Sequence, residues 1–482
     1  MAHRMSRRHV LGAGITLAGA AAVTSVLAEN ALAENALAGS APAAVPLAGA
    51  GQPVAPGGLP WPAANDIVAA TEAAMPTFAN KNFDVTTFGA KGDGKTDNTA
   101  AFAKAIAACS ANPGGGHVVV PSGTYVTGAI RLKSNVDLHL NSGATLKFSG
   151  DASKYPTVLT RYEGIECMNH SPMVYAFGET NIALTGSGTL DAGGTSAWNK
   201  GSDRAFLESL IDKGVTDPGK RVVPGSGHDM RSTFIEPYNC TNVLIQGVTL
   251  KNPMFWQLHP TLCTNVIVDG VTTDPNTAHS NTDGCDPECS VNVVIRNCTL
   301  GAHDDNIAIK SGRDGDGRRV NKPTKNVVIY NCVMNGNWGA VTCGSEITGG
   351  VQNVYAFQCK VIGQTKFALY VKSNTQRGGG AQNVNLDSIS GTMQRAFAFV
   401  TMTYNGQKGS HQPAFGPITI ANSSCSKAPI VFDVSGLSGD PVSSLTVNSC
   451  KFTGVANGTD KISNTSAVKF TNVTINGKSV SR

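Results

Sequence analysis

Charge is scarce in this chain: Asp, Glu, Lys and Arg together make up 15% of its 482 residues. The formal net charge is +5, and Arg4, Arg7 and Arg8 supply three of the basic groups from the first 28 residues, leaving 35 basic against 33 acidic groups in the remainder. No basic field exists that would hold nucleic acid. Long apolar runs are absent after the leader, so the body does not span a membrane in the way a run of roughly 18 apolar residues would. Gly114, Gly115 and Gly116 lack the spacing of a dinucleotide or phosphate loop. Twelve cysteines are too few for a small disulfide framework. Cys285 and Cys289 are close in sequence, but no second pair completes a zinc site, while a local disulfide near Cys285 stays open. The run 314–317, DGDG, offers oxygen ligands without the full calcium-loop pattern. No cofactor or metal is called for.

What is present begins with a leader. Ser6-Arg7-Arg8-His9-Val10-Leu11 is a twin-arginine pattern, and a small-residue apolar run follows to Ala28. Residues 1–38 read as a twin-arginine-type signal and processing region, and 39–80 as a linker or N-terminal extension, with 61–80 packing on the end of the body. The expectation is an exported protein, secreted or periplasmic, with no membrane association after signal removal and no obligatory protein partner.

The body, 81–482, is turn-rich and apolar enough, at 41%, to bury a large core. Thr99 to Cys109 reads as one amphipathic helix with Asp97 or Asn98 as its N-cap, placed to close an open β end. Short strands follow, broken by Gly, Asn or Asp. The phrase Asn-Val-x-x-x starts at Asn242, Asn265, Asn292, Asn326, Asn353 and Asn383, in steps of 23, 27, 34, 27 and 30 residues. That period suits one coil of a parallel β-helix, an all-β solenoid whose stacking covers each coil's strand edges. A propeller would need a four-strand blade pattern, which the repeats do not show. Asn at the recurring turn can take the left-handed conformation and bond the next coil. Cys298, Cys332 and Cys359 fall at one repeat position and should stack as buried thiols. Insertions at Ala192–Arg231, Asp274–Asn281 and Arg313–Pro323 mark the groove walls, and the weaker repeats from Gly416 onward are the final coils.

The stretch 281–317 concentrates the chemistry. Asp283 precedes Asp304 and Asp305 by 21 and 22 residues, with a β-type run between. One turn of a solenoid can return such positions to nearly the same lateral place, crowding three carboxylates on one face. Crowded carboxyls cannot all ionise without cost, so one of them holds a proton, as acid/base cleavage requires.

NTDG at 281–284, HDDNIAIKSG at 303–312, GSEITGGVQNV at 344–354, FWQLHPTLCTNV at 255–266 and the FGAKGDGKTDNT opening resemble the polygalacturonase-like glycoside hydrolases of family 28 over about residues 82 to 450. The resemblance implies a right-handed parallel β-helix and an inverting hydrolase of pectin-type polysaccharides. It implies Asp304 as general acid, Asp283 and Asp305 as the pair that activates water, and Lys372 as a contact to the substrate carboxylate. An inverting acid and base should stand roughly 6.5–9.5 Å apart.

The chain departs from the family pattern at several places. Trp338 stands where a histidine is usual, Tyr370 where an arginine is usual, His303 for a glycine and Asn306 for a cysteine. Asn281, His303, Trp338, Tyr370 and Lys372 are the candidate substrate-binding residues, with Trp338 and Tyr370 offering flat faces to a sugar ring. An arginine's bidentate grip on a carboxylate has no tyrosine equivalent. The expected substrate is therefore a pectin-type glycan other than plain homogalacturonan. The alternatives are a polygalacturonase proper, exo or endo, a catalytically weak glycan-binding β-helix, or a polysaccharide lyase.

Overall fold

The computed structural model describes residues 58–275, 279–456 and 460–482. The expected leader, the first part of the extension and the centre of the Asp274–Asn281 insertion lie outside the described residues. Among the described residues, no helix is long and apolar enough to cross a membrane.

The chain winds as a right-handed parallel β-helix with three faces. The first is a sheet of fourteen strands running from Asn82–Asp84 to Val468–Thr471. The second is bridged at Thr272 between a five-stranded and an eight-stranded sheet. The third, which carries the site, starts with Ile130–Arg131, Val174–Phe177 and Ile235–Tyr238. Single bridges at Leu258 and Cys285 carry it to Ile307–Ile309, Gly339–Gly344 and Phe367–Lys372.

The repeat phrase sets the register. Val243, Val266, Val293, Val327, Val354 and Val384 are successive partners across adjacent coils. The asparagine before each valine is left-handed, with φ between 56° and 60°. Each Nδ2 donates to the Oδ1 of the previous coil: Asn265 to Asn242 at 3.0 Å, Asn292 to Asn265 at 3.0 Å, Asn326 to Asn292 at 3.0 Å, Asn353 to Asn326 at 2.9 Å and Asn383 to Asn353 at 2.9 Å. Each such bond contributes about 0.5–1.5 kcal/mol. One residue type thus supplies both the turn geometry and the tie between coils.

All twelve cysteines are buried, free thiols, Cys285 and Cys289 included. Cys332 lies between Cys298 and Cys359, and its thiol is raised by burial first and by those two neighbours second.

The expected helix is Thr99–Ala111, and Phe102, Ile106 and Cys109 join the interior cluster. Asp97, rather than Asn98, supplies the capping oxygen: its Oδ1 accepts from Thr99 N–H at 3.1 Å. Asn98 instead receives Lys91 N–H at 2.7 Å.

Part of the expected linker is a helix, Pro62–Ala73. It packs on the outer side of the first sheet against Ile267, Val294, Val328 and Tyr355, mid-body rather than at the end. A hairpin, Thr157–Tyr162 with Ile165–His170, was not legible in the repeats. The DGDG run opens a helix, Asp314–Val320, and Asp316 is bound by Arg221 at 2.6 Å and Arg319 at 2.8 Å.

Candidate active site

Asp283 and Asp305 stand at the entry to the third face in neighbouring coils. Cys285 pairs with Ile307 there, so each carboxyl lies two residues ahead of a strand-aligned pair. Asp304 precedes Asp305 and is half-buried. The three carboxyls offer oxygens that all lie within 4.8 Å of one another. They line a polar cleft of about 180 Å³ together with Glu163, Arg204, Trp256, Asn281, Lys310, Arg313, Glu346, Lys372, Arg377 and Tyr404.

Each carboxyl has a distinct set of neighbours. Asp305 Oδ1 accepts the Gly339 N–H at 2.6 Å, and its Oδ2 accepts from Lys372 Nζ at 3.0 Å. A Cβ on residue 339 would stand 2.9 Å from Asp305 Oδ1 and 2.0 Å from Thr342 Oγ1, so glycine is what lets the backbone donor reach the carboxylate. Asp304 Oδ1 accepts its neighbour's N–H, Asp305 N, at 2.9 Å, and Asn281 Nδ2 approaches Asp304 Oδ2 at 3.4 Å. Asp283 Oδ2 lies 3.7 Å from Lys310 Nζ. Lys310 is wedged beneath the trio, 3.3 Å from Glu346 and 4.5 Å over the Trp256 ring.

Burial and mutual repulsion set the protonation. Burial first, and the Asp305 charge second, push Asp304 up to about 6, against the opposing pull of Lys372 and Lys310. Burial, then Asp286 and Asp304, push Asp283 well above the ordinary carboxyl range. The cluster therefore retains protons near neutral pH, and its titration belongs to the group rather than to one residue. Asp305, with an N–H and an ammonium donating to it, has the partners of an ionised carboxylate.

The substrate residues expected from sequence divide. Asn281 and Lys372 line the cleft. Asn281 Oδ1 accepts from Arg231 Nη2 at 3.1 Å, so the amide bridges Arg231 to Asp304. Tyr370 does not offer its face. Its ring is 3% exposed, stacks on Phe399 at 5.3 Å and is covered by Lys372 Nζ at 4.3 Å. Trp338 packs on the same apolar cluster, with Lys366 Nζ 3.2 Å over its ring. His303, whose backbone N–H reaches Thr282 Oγ1 at 3.2 Å, is likewise outside the cleft lining. Asn306 is buried and donates to Gly339 O at 3.0 Å, tying the Asp305 turn to the next coil.

Sequence reasoning missed the cations Arg204, Lys310, Arg313 and Arg377, and the acids Glu163, Glu346 and Asp286. Lys310 and Glu346 lie inside the quoted motifs and carried that signal. Asp286 lies in the 281–317 stretch, one residue past Cys285, whereas Arg204 and Arg313 come from insertions, Glu163 from a hairpin turn and Arg377 from a loop, which no repeat places. Asp286 is fully buried behind the trio, and neither oxygen has a hydrogen-bond partner among the described residues.

A model of the glycosyl hydrolases family 28 matches residues 109–471. A probable polygalacturonase of Vitis vinifera is 28% identical over 67% of this chain and 63% of its own length. An exo-poly-alpha-D-galacturonosidase of Dickeya chrysanthemi is 27% identical over 72% and 60% respectively. The chain thus spans about three fifths of the length of these curated relatives. The crystal structure of a hyperthermoactive exopolygalacturonase from Thermotoga maritima superposes with a TM-score of 0.80 at 32% identity, covering 86% of this chain and 96% of that one. On the extent of the family match and the shared fold, the chain belongs to the glycosyl hydrolases of family 28.

Proposed function

We propose that this chain is an inverting hydrolase of homogalacturonan that works from a chain end. The single observation that carries the reading is the carboxyl trio, with oxygens within 4.8 Å of one another, set in a cleft lined by five cations. The relatives' names favour plain polygalacturonate over the branched or neutral glycan expected from residues 338 and 370. The packing of Trp338 and Tyr370 agrees: Tyr370 is buried, and Lys366 lies over the ring of the half-buried Trp338, outside the cleft lining.

In this reading Asp304 gives its proton to the glycosidic oxygen as the bond breaks. Asp305 accepts a proton from the attacking water, and Asp283 orients that water from the neighbouring coil. Lys372 and Lys310 hold the carboxyls in place and offset their charge. The nearest carboxyl oxygens are tighter than the roughly 6.5–9.5 Å of an inverting acid and base, so inversion rests on the family. Chain-end action is supported by the wall around the cleft. The hairpin turn places Glu163, and helix Arg204–Asp212 of the insertion places Arg204, where the two side chains pair across the cleft margin. The twin-arginine pattern supports export to where such polymers are met.

The test is a time course on polygalacturonate. New reducing ends without absorbance at 235 nm, with one small product from the first minutes, are expected. Unsaturated products would indicate a lyase, and a ladder of oligomers would indicate internal cleavage.

A further inference from the structure

The family's usual arginine is absent at position 370, and the expected carboxylate-binding lysine, Lys372, is already held by Asp305 at 3.0 Å. A uronate bound here needs another cation. Resting on the galacturonan reading above, we infer that Arg377 is that cation, a specificity-determining residue that grips the carboxylate of a galacturonate flanking the scissile bond.

Five cations line the cleft, and four are committed. Lys310 is wedged between Asp283 and Glu346. Arg204 pairs with Glu163 and Glu208. Arg313 meets Glu163 at 3.0 Å, Glu208 at 3.3 Å and Glu346 at 3.3 Å. Arg377 has one acidic oxygen within 3.5 Å, Glu346 Oε1 at 3.3 Å, with Asp314 Oδ1 next at 4.0 Å.

That one oxygen is crowded. Glu346 Oε1 already accepts from Ser345 Oγ at 2.9 Å and from Arg313 Nη1 at 3.3 Å. Arg377 is 2% exposed, yet neither Nε nor Nη1 makes a hydrogen bond among the described residues. Buried guanidinium donors left open are costly, and a planar carboxylate matches their fork. Arg377 lines the same cleft as the trio and is linked to it through Glu346 and Lys310, which approaches Asp283. Its ring neighbour is Tyr404, 5.7 Å away on the cleft lining.

The experiment measures binding in an Asp304→Asn background, so that no substrate turns over. Titration calorimetry compares trigalacturonate with its fully methyl-esterified form, which keeps the shape and loses the charges. Adding Arg377→Gln should weaken trigalacturonate by about 10- to 100-fold, as expected for hydrogen bonds to a charged group, and change the ester by less than about threefold. Arg377→Lys should fall between and also serves if the glutamine variant is unstable. An equal loss on both ligands would mean a structural role and overturn the inference, as would no loss on trigalacturonate. Binding of neither ligand before Arg377 is altered would instead overturn the galacturonan reading on which it rests.

Discussion

Lys372 Nζ lies 3.0 Å from Asp305 Oδ2 and 4.3 Å from the centre of the Tyr370 ring. It is thus tied to a reacting carboxylate before any sugar arrives. A lysine that only held substrate would affect KM when removed. This one should affect turnover. Lys372→Met is expected to lower kcat by about 10- to 100-fold, the scale of one charge-assisted hydrogen bond, with a smaller change in KM. Steady-state kinetics on polygalacturonate decide it, and a rise in KM at unchanged kcat would return Lys372 to the role of a substrate contact.

Asp304 should govern the basic side of the pH profile. Its proton must be present for donation, and burial with the Asp305 charge pushes it up to about 6. Activity should therefore decline as pH rises through about 6, where an ordinary carboxyl would already be ionised. Asp304→Asn should cost about 10²–10⁴-fold in kcat on the natural polymer, with KM within about tenfold. A leaving group that needs no proton, such as a nitrophenolate, should recover much of the loss. A variant with near-normal turnover on polygalacturonate would remove Asp304 from the acid role.

The close approach of the trio makes stereochemistry a direct measurement. Proton NMR of the first product released from an α-linked oligogalacturonate should show the β-anomer, with the α-anomer appearing only as mutarotation proceeds. Initial release of the α-anomer would mean that a carboxylate attacks the sugar itself, as a separation near 5 Å permits.

The coils were legible in the sequence because one residue does two physical jobs there. Asn265, Asn292 and Asn326 each mark a left-handed turn and a bond to the next coil, so their spacing records the coil length. The trio was legible for a related reason: one coil separates Asp283 from Asp305, so linear spacing becomes lateral position. Arg377 and Glu163 were not legible, because loops and a hairpin bring them in from coils that share no spacing with the trio. Tyr370 misled because a strand position states only which face a side chain takes. Phe399 in the next coil and Lys372 two residues along cover that face, and linear spacing does not show that either lies over the ring.

Asp286 lies under the trio, fully buried, and burial pushes it up to about 8 against the pull of Lys310 and His259. A carboxyl raised in this way binds its proton more tightly in the folded chain than in the unfolded one. Its stabilising effect is complete below the ordinary value of 3.8 and is lost progressively as pH rises from there through about 8. Asn cannot titrate and is nearly the same size. The melting temperature of Asp286→Asn minus that of the unaltered protein should therefore be larger at pH 8 than at pH 5. His259 does not confuse the comparison. Although burial works against it, hydrogen bonds to Glu236 and Glu288 hold its value at about 9, so it keeps its charge across the interval. Asp283 is pushed up partly by the Asp286 charge, so in the variant it is raised less, which adds to the difference in the same direction. Scanning calorimetry at the two pH values is the measurement. A difference that stays the same between pH 5 and pH 8 would show that Asp286 is an ionised carboxylate in the fold, held by Lys310 and His259 rather than by a proton.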